Sequence, residues 1–340
     1  MAASDPTRAR PRIAVIGTGG TFAMAARHAF DWVEYSESGV IRDIDALLRD
    51  LDALDLPVEI VAVPFRTLPS TGVTPADWLA LARLIDEVAA SEQAPDGFVV
   101  THGTATLEET AWFLDCTLRT TRPVVVTGAQ RPANTSGSDA LANLRAAVAV
   151  AACPQAAGLG TLVVMNNLVL AARDATKASS FDLHAFEAGG QGPLGMVRPD
   201  ASVALRRLPL PARAERDAID VQGCAKLPRV DIVVSYAGAD GSAVEAAVRA
   251  GARGLVSMGL APGRPANGER EALVAAARQG VCVVQSTRAA RPDVPPQAFL
   301  QRDGLLAGGD LSPHKLRILL MLLLAGARDP ATLQHSILSF

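Results

Sequence analysis

Short runs of consecutive apolar residues recur along the chain. Between them lie segments in which apolar positions return every three or four residues. Residues 13–16 (IAVI), 58–63 (VEIVAV), 97–100 (GFVV), 124–126 (VVV) and 161–165 (TLVVM) carry the first pattern. Runs this short and this apolar predict strands buried on both faces, as in a parallel sheet. Residues 78–90, 107–117 and 138–151 carry the second pattern and predict amphipathic helices. Strand and helix alternate, which predicts a doubly wound α/β domain with helices on both faces of the sheet.

The rhythm breaks at 207–228, RLPLPARAERDAIDVQGCAKLP, which has three prolines and no sustained period. This stretch reads as a linker. Beyond it the alternation resumes at 230–236, 243–249, 254–258, 269–278 and 281–285. Ser312-Pro313 then predicts a helix start, with Ser as N-cap and Pro at the first helical position. The expected organisation is an N-terminal α/β catalytic domain over 1–206, a linker over 207–228 and a smaller α/β domain over 229–340.

Composition narrows the function. The chain has 340 residues, 49% hydrophobic and 20% charged, enough for one large or two ordinary domains. Only 4% is aromatic, which argues against base-stacking platforms and Trp-rich sugar grooves. A net charge of -3 and a pI near 6.0 leave no electrostatic footprint for nucleic acid. The basic residues are three lysines (Lys177, Lys226, Lys315) against 29 arginines, so a lysine marks a place where a titratable amine is useful. Cys116, Cys153, Cys224 and Cys282 are scattered without metal-binding spacing and read as thiols in a reducing compartment. No apolar h-region follows the N-terminus, and the longest apolar run, 318–325, is shorter than the roughly 20 residues a bilayer requires. A cytoplasmic protein without membrane or nucleic-acid partners is expected.

Ligands of open α/β sheets collect beyond the carboxyl ends of the strands. Four polar segments fall at such positions: 17–21 (GTGGT), 101–104 (THGT), 128–132 (GAQRP) and 173–177 (RDATK). The first is not a dinucleotide fingerprint, because Phe22 stands where G-x-G-x-x-G needs its last glycine. Its glycines instead suit a backbone N–H approaching an oxyanion, with Thr21 beside it. Thr106 and Glu109 match a capping box. Thr104 precedes that helix, where the positive dipole end favours a deprotonating hydroxyl; a turn residue satisfying its own backbone is the equal alternative. His102 has no G-x-S-x-G elbow to serve and reads as a hydrogen-bonded structural residue.

GTGGTF, VTHGTATLEETAWFLD, VVVTGAQRP with SDALANL, and RDATKASS together resemble, in order and spacing, the signatures of bacterial-type L-asparaginases and glutaminases. The resemblance implies a flavodoxin-like N-terminal domain with a parallel sheet, joined to a smaller α/β domain. It implies an amidohydrolase without cofactor or metal that acts on a small-molecule amide. It also implies a homodimer or homotetramer with active sites near subunit interfaces. Carried over residue by residue, Thr21 is the nucleophile and Tyr35 its lid partner. Thr104 and Lys177 form the second catalytic pair. Ser70 holds a substrate carboxylate, the Ala129 backbone faces the scissile amide, and Gly20, Thr71, Gly103 and Ala105 complete the substrate pocket.

One position departs from the family. Where Ala105 stands, the family has an aspartate that completes the Thr–Lys–Asp set and binds the substrate's α-ammonium. The acid that a partner's C-terminal domain normally adds has no match in STRAARPDVPPQAFLQRDG, where only Asp293 and Asp303 are acidic. The family's Asn in the preceding turn falls near LAPGRPANG, beside Arg264. Free L-asparagine is therefore expected to be a poor substrate, and an amide without a free α-ammonium a better one: N-acylated asparagine, a succinamate-like monoamide or a cyclic amide. The alternatives are a true L-asparaginase using Glu34 or Glu37 as substitute acid, and an inactive metabolite-binding member of the family.

Overall fold

The computed structural model describes residues 10–38, 40, 55–209, 218–326 and 329–340. Part of the expected linker, 210–217, lies outside the described residues. The chain divides into two compact units, Met1–Asp217 and Ala218–Phe340.

The first unit is built on one sheet. Its parallel strands are β1 (Arg12–Gly17), β2 (Glu59–Val63), β3 (Gly97–Thr101), β4 (Val124–Thr127) and β5 (Thr161–Met165), in the order β2-β1-β3-β4-β5. Helices α1 (Pro75–Ala89), α2 (Leu107–Thr117) and α3 (Ala140–Ala151) cross between them. Side chains alternate across a strand. Ile13, Val15, Val99, Val125, Leu162 and Val164 accordingly pack with α3 in one core cluster. Both faces of β3, β4 and β5 are buried, as their unbroken apolar runs require.

The sheet does not stop at β5. It continues through β6 (Leu168–Ala171), β9 (Gly195–Val197) and β10 (Val203–Leu205), all paired antiparallel. The parallel pattern read from the sequence is thus the larger part of a mixed sheet. A separate two-stranded ribbon, β7 (Thr176–Lys177) with β8 (Phe186–Glu187), lies between β6 and β9 in the chain.

Helix starts are set by local chemistry. α1 begins at Pro75, three residues ahead of the apolar period. The Asp77 carboxylate accepts both the N–H (2.9 Å) and the hydroxyl (2.6 Å) of Thr74, closing the first turn. α2 begins at Leu107 with Thr106 as N-cap, but the capping box is not made: the Thr106 hydroxyl donates to the Ser70 carbonyl at 2.7 Å.

The second unit carries a parallel sheet ordered β11-β12-β13-β14 (Val230–Val234, Gly254–Gly259, Cys282–Thr287, Leu306–Ala307). Its helices are α4 (Ser242–Arg249), α5 (Asn267–Arg278), α6 (Ala298–Asp303), α7 (Pro313–Ala325) and α8 (Pro330–Ser339). Ser312 caps α7, accepting from the Lys315 N–H, with Pro313 at the first helical position. No helix among the described residues is long and apolar enough to cross a membrane.

Candidate active site

The carboxyl ends of β1, β3 and β4 are side by side, and the turns that follow them are in contact. After β1, the Thr18 hydroxyl donates to the Thr101 carbonyl (2.9 Å) and the Gly20 N–H to the Leu68 carbonyl (3.1 Å). Gly20 has φ +71°, and a Cβ there would fall 2.2 Å from Gly103 Cα. A Cβ on Gly103 would fall 2.3 Å from Ser70 Cβ. Both positions therefore need glycine, one for backbone conformation and both for close approach. The contact brings Thr21, Thr104 and Ser70, each next to one of these packed positions, into one neighbourhood. The Gly20 N–H is bonded to Leu68, which leaves the neighbouring N–H groups of this turn for an oxyanion.

Thr21 is buried, and its Oγ1 lies 2.8 Å from Tyr35 Oη. Tyr35 is half-buried and opens a 3-10 turn, Tyr35–Ser38. The buried Asp31 carboxylate shapes the approach by accepting the N–H groups of Arg27 and Glu34. The segment is pinned from outside. Ala26 and Asn134 exchange two hydrogen bonds (2.9 and 2.8 Å), and the Arg131 guanidinium stacks 3.9 Å over the Trp32 ring. The Glu34 carboxylate is largely exposed, 4.0 Å from Arg27. Glu37 is also exposed.

Lys177 Nζ donates to Thr104 Oγ1 at 2.7 Å. Burial lowers the pKa of this amine, and the charge of Glu108 acts in the opposite direction. Glu108 had no role in the sequence reading. Its Oε2 accepts from the Thr176 hydroxyl at 2.6 Å, beside the lysine. The one signal for it was its place in the first turn of the predicted helix after Thr104.

The remaining positions frame these pairs. Ser70 is half-buried, and Thr71 is exposed in the same 3-10 turn. Ala105 is exposed between buried Thr104 and half-buried Thr106. Ala129 is buried, and its turn is held by two residues of the SDALANL motif that the sequence did not single out. The Asp139 carboxylate accepts the N–H groups of Gln130 and Arg131 (3.0 Å each), and Asn143 Nδ2 donates to the Gly128 carbonyl (3.0 Å).

His102 is buried in a directed chain. Trp78 Nε1 donates to Thr110 Oγ1 (2.9 Å), whose hydroxyl donates to His102 Nε2 (2.9 Å), and His102 Nδ1 donates to the Gly103 carbonyl (2.8 Å). Both ring nitrogens are occupied and burial pushes the imidazole pKa down to about 4. The ring is a neutral brace behind Gly103. In the second unit, Asp303 is committed to Arg270 (2.7 Å) and Arg302 (3.1 Å).

Comparison with known proteins places the chain. Residues 12–209 match the asparaginase N-terminal family, and residues 229–336 match the glutaminase/asparaginase C-terminal domain family. L-asparaginase 2 of Escherichia coli is 35% identical over 98% of this chain and 95% of its own length. A probable periplasmic L-asparaginase of Haemophilus influenzae is 34% identical over 96% of this chain and 92% of its own. A crystal structure of a probable cytoplasmic L-asparaginase from Campylobacter jejuni superposes with a TM-score of 0.90, at 32% identity, covering 97% of this chain and all of that one. The chain belongs to the bacterial-type asparaginase family of amidohydrolases.

Proposed function

We propose that this chain is a threonine-nucleophile amidohydrolase for a small carboxamide that lacks a free α-ammonium. One observation carries the reading. Two hydroxyl-centred pairs, Thr21–Tyr35 and Thr104–Lys177, sit on adjoining turns, while Ala105 beside Thr104 offers only a methyl group.

A threonine hydroxyl is a weak nucleophile and needs help to lose its proton. Tyr35, bonded to Thr21, is the group to relay that proton: its Oη accepts the Thr21 proton and gives its own to the leaving nitrogen as Thr21 Oγ1 attacks the amide carbonyl. The tetrahedral oxyanion needs backbone donors, each worth about 3 kcal/mol. The N–H groups of Thr21, within its 3-10 turn, and of Ala105, just before the N-cap of α2, are the candidates. Collapse breaks the C–N bond, the nitrogen leaves with a proton as ammonia, and an ester to Thr21 remains. Water then attacks that ester. The neutral form of Lys177 accepts a proton from it through Thr104, and that proton is passed on to the Thr21 oxygen as the ester bond breaks, leaving the acid product and restoring the hydroxyl. Ser70, half-buried beside Gly103, is the group we assign to donate to a substrate carboxylate.

A free α-ammonium beside Ala105 would stand without a carboxylate partner, at a cost of several kcal/mol where it is desolvated. Acylating the nitrogen, removing it or closing it into a ring removes that cost. Action as a homodimer or homotetramer belongs to the same reading, as does a cytoplasmic location, which four free cysteines support. A second reading, turnover of L-asparagine with Glu34 or Glu37 as the acid, is favoured by the names that the relatives carry.

The test is ammonia release from L- and D-asparagine, L-glutamine, N-acetyl-asparagine, succinamate and cyclic imides, with wild type and Thr21→Ala. Turnover of the amides without an α-ammonium, lost in Thr21→Ala, is expected. Efficient turnover of L-asparagine at low KM overturns the specificity.

A further inference from the structure

We propose that Glu108 is the positioning acid of the Thr104–Lys177 pair, supplying from α2 the support that Ala105 has no group to give. This rests on the reading above, in which Lys177 moves a proton.

The geometry is direct. Glu108 lies in the first turn of α2, directly after the Thr104 turn. Both carboxylate oxygens turn toward β7. Oε2 accepts from the Thr176 hydroxyl at 2.6 Å, and Oε1 faces the Lys177 N–H at 3.5 Å. The acid therefore holds the Thr176 side chain, the neighbour of the residue that carries the amine, and Lys177 Nζ reaches Thr104 Oγ1 at 2.7 Å. An acid in a first helical turn often does no more than complement the helix dipole. Here the carboxylate is bonded to another element, and that element carries the lysine.

The charges around Lys177 single out the same residue. Across the ribbon, β8 presents Phe186 opposite Lys177 and the exposed Glu187 opposite Thr176. In the turn before β7, Asp174 is paired with Arg173 at 3.5 Å. Thr104 contributes a neutral hydroxyl. Glu108 is the charge that acts on the amine, raising its proton affinity against the burial that lowers it. An acid that holds β7 and also favours the charged form of its lysine against burial does two things that a dipole-capping residue does not.

The chain has only three lysines, so the amine can be followed without a substrate. Full-length protein labelled with [ε-13C]lysine is titrated by NMR, and the Lys177 signal is assigned by its loss in Lys177→Met. In Glu108→Gln, which keeps an oxygen to accept from Thr176 but removes the charge, the Lys177 midpoint moves to lower pH while Lys226 and Lys315 stay in place. Glu108→Asp keeps the charge and holds the midpoint near that of wild type, and it serves if the Gln variant does not fold. With N-acetyl-asparagine as substrate, the acid limb of the kcat/KM profile moves in the same direction. An unmoved Lys177 midpoint in Glu108→Gln overturns the proposal. Full activity in Lys177→Met would instead sink the catalytic reading of the pair, and the NMR titration would still decide whether Glu108 governs the amine.

Discussion

Gly20 and Gly103 meet backbone to backbone, and the turn carrying Thr21 and the turn carrying Thr104 close against each other through them. The arrangement leaves no room for a side chain. In Gly103→Ala the new methyl would lie 2.3 Å from Ser70 Cβ and 3.1 Å from Gly20 Cα, and only backbone movement relieves that overlap. Overpacking of this kind costs about 1–3 kcal/mol. A shift of about 1 Å between catalytic groups costs on the order of 100-fold in rate. Thermal melting should show a lowered but cooperative transition, and ammonia release on the best amide should fall about 100-fold. A Gly103→Ala protein with wild-type kcat would refute the view that this contact sets the site's geometry.

Ala105→Asp returns a carboxylate to the helix approach beside Thr104. The position is exposed, so the acid can enter without displacing a core residue. If substrate choice turns on the missing ammonium partner, kcat/KM for L-asparagine should rise by at least about tenfold, the equivalent of 1.4 kcal/mol. Activity on N-acetyl-asparagine should fall or stay level. A rise for both substrates in equal proportion would mean that the acid helps the chemistry and not the selection.

Sequence made the parallel core and the four site turns legible, because both depend on short-range patterns. The run GFVV, short and unbroken, reads as a doubly buried strand, and THGT at its end falls on the ligand side of such a sheet. β6, β9 and β10 were not anticipated; the last two have three residues each, too short for a period to emerge. The Thr106 side chain makes no cap bond; its hydroxyl donates to the Ser70 carbonyl, 36 residues away in the chain, and no local rule contains that carbonyl. Glu108 and Asp139 were missed likewise. Each is an ordinary acid near a helix start until the fold brings the Lys177 strand or the Gln130 N–H to it.

Lys177 links catalysis to stability. Burial holds its folded pKa below the ordinary value of 10.5, so between the two values the unfolded chain binds the extra proton. Stability contributed by this site therefore rises as pH rises through that window, and the protonated, half-buried amine opposes folding below it. Lys177→Met removes the titration and keeps much of the stem. It should abolish amide hydrolysis without lowering the urea midpoint at neutral pH. Its advantage over wild type should shrink toward pH 10. A variant that is less stable than wild type across the whole range would show that the amine's bond to Thr104 outweighs its desolvation.

His102 gives the opposite end of the pH scale a signature. Its folded pKa of about 4 lies below the ordinary value of 6.5, because a buried imidazolium would lose its hydration. It would also lose the Thr110 hydroxyl as a donor to Nε2, since a protonated ring has no acceptor left. Between pH 6.5 and 4 the unfolded chain therefore takes up a proton that the folded chain refuses, and stability falls with acidification by up to about 3 kcal/mol. His102→Gln removes the titration, and its urea midpoint should change less than that of wild type over this interval. The brace behind Gly103 weakens in the variant, so its midpoint at pH 7 should be lower. Parallel pH dependences in the two proteins would mean that carboxylates elsewhere govern acid unfolding. A flatter curve for His102→Gln would assign that part of the slope to the neutral ring that holds the Gly103 carbonyl.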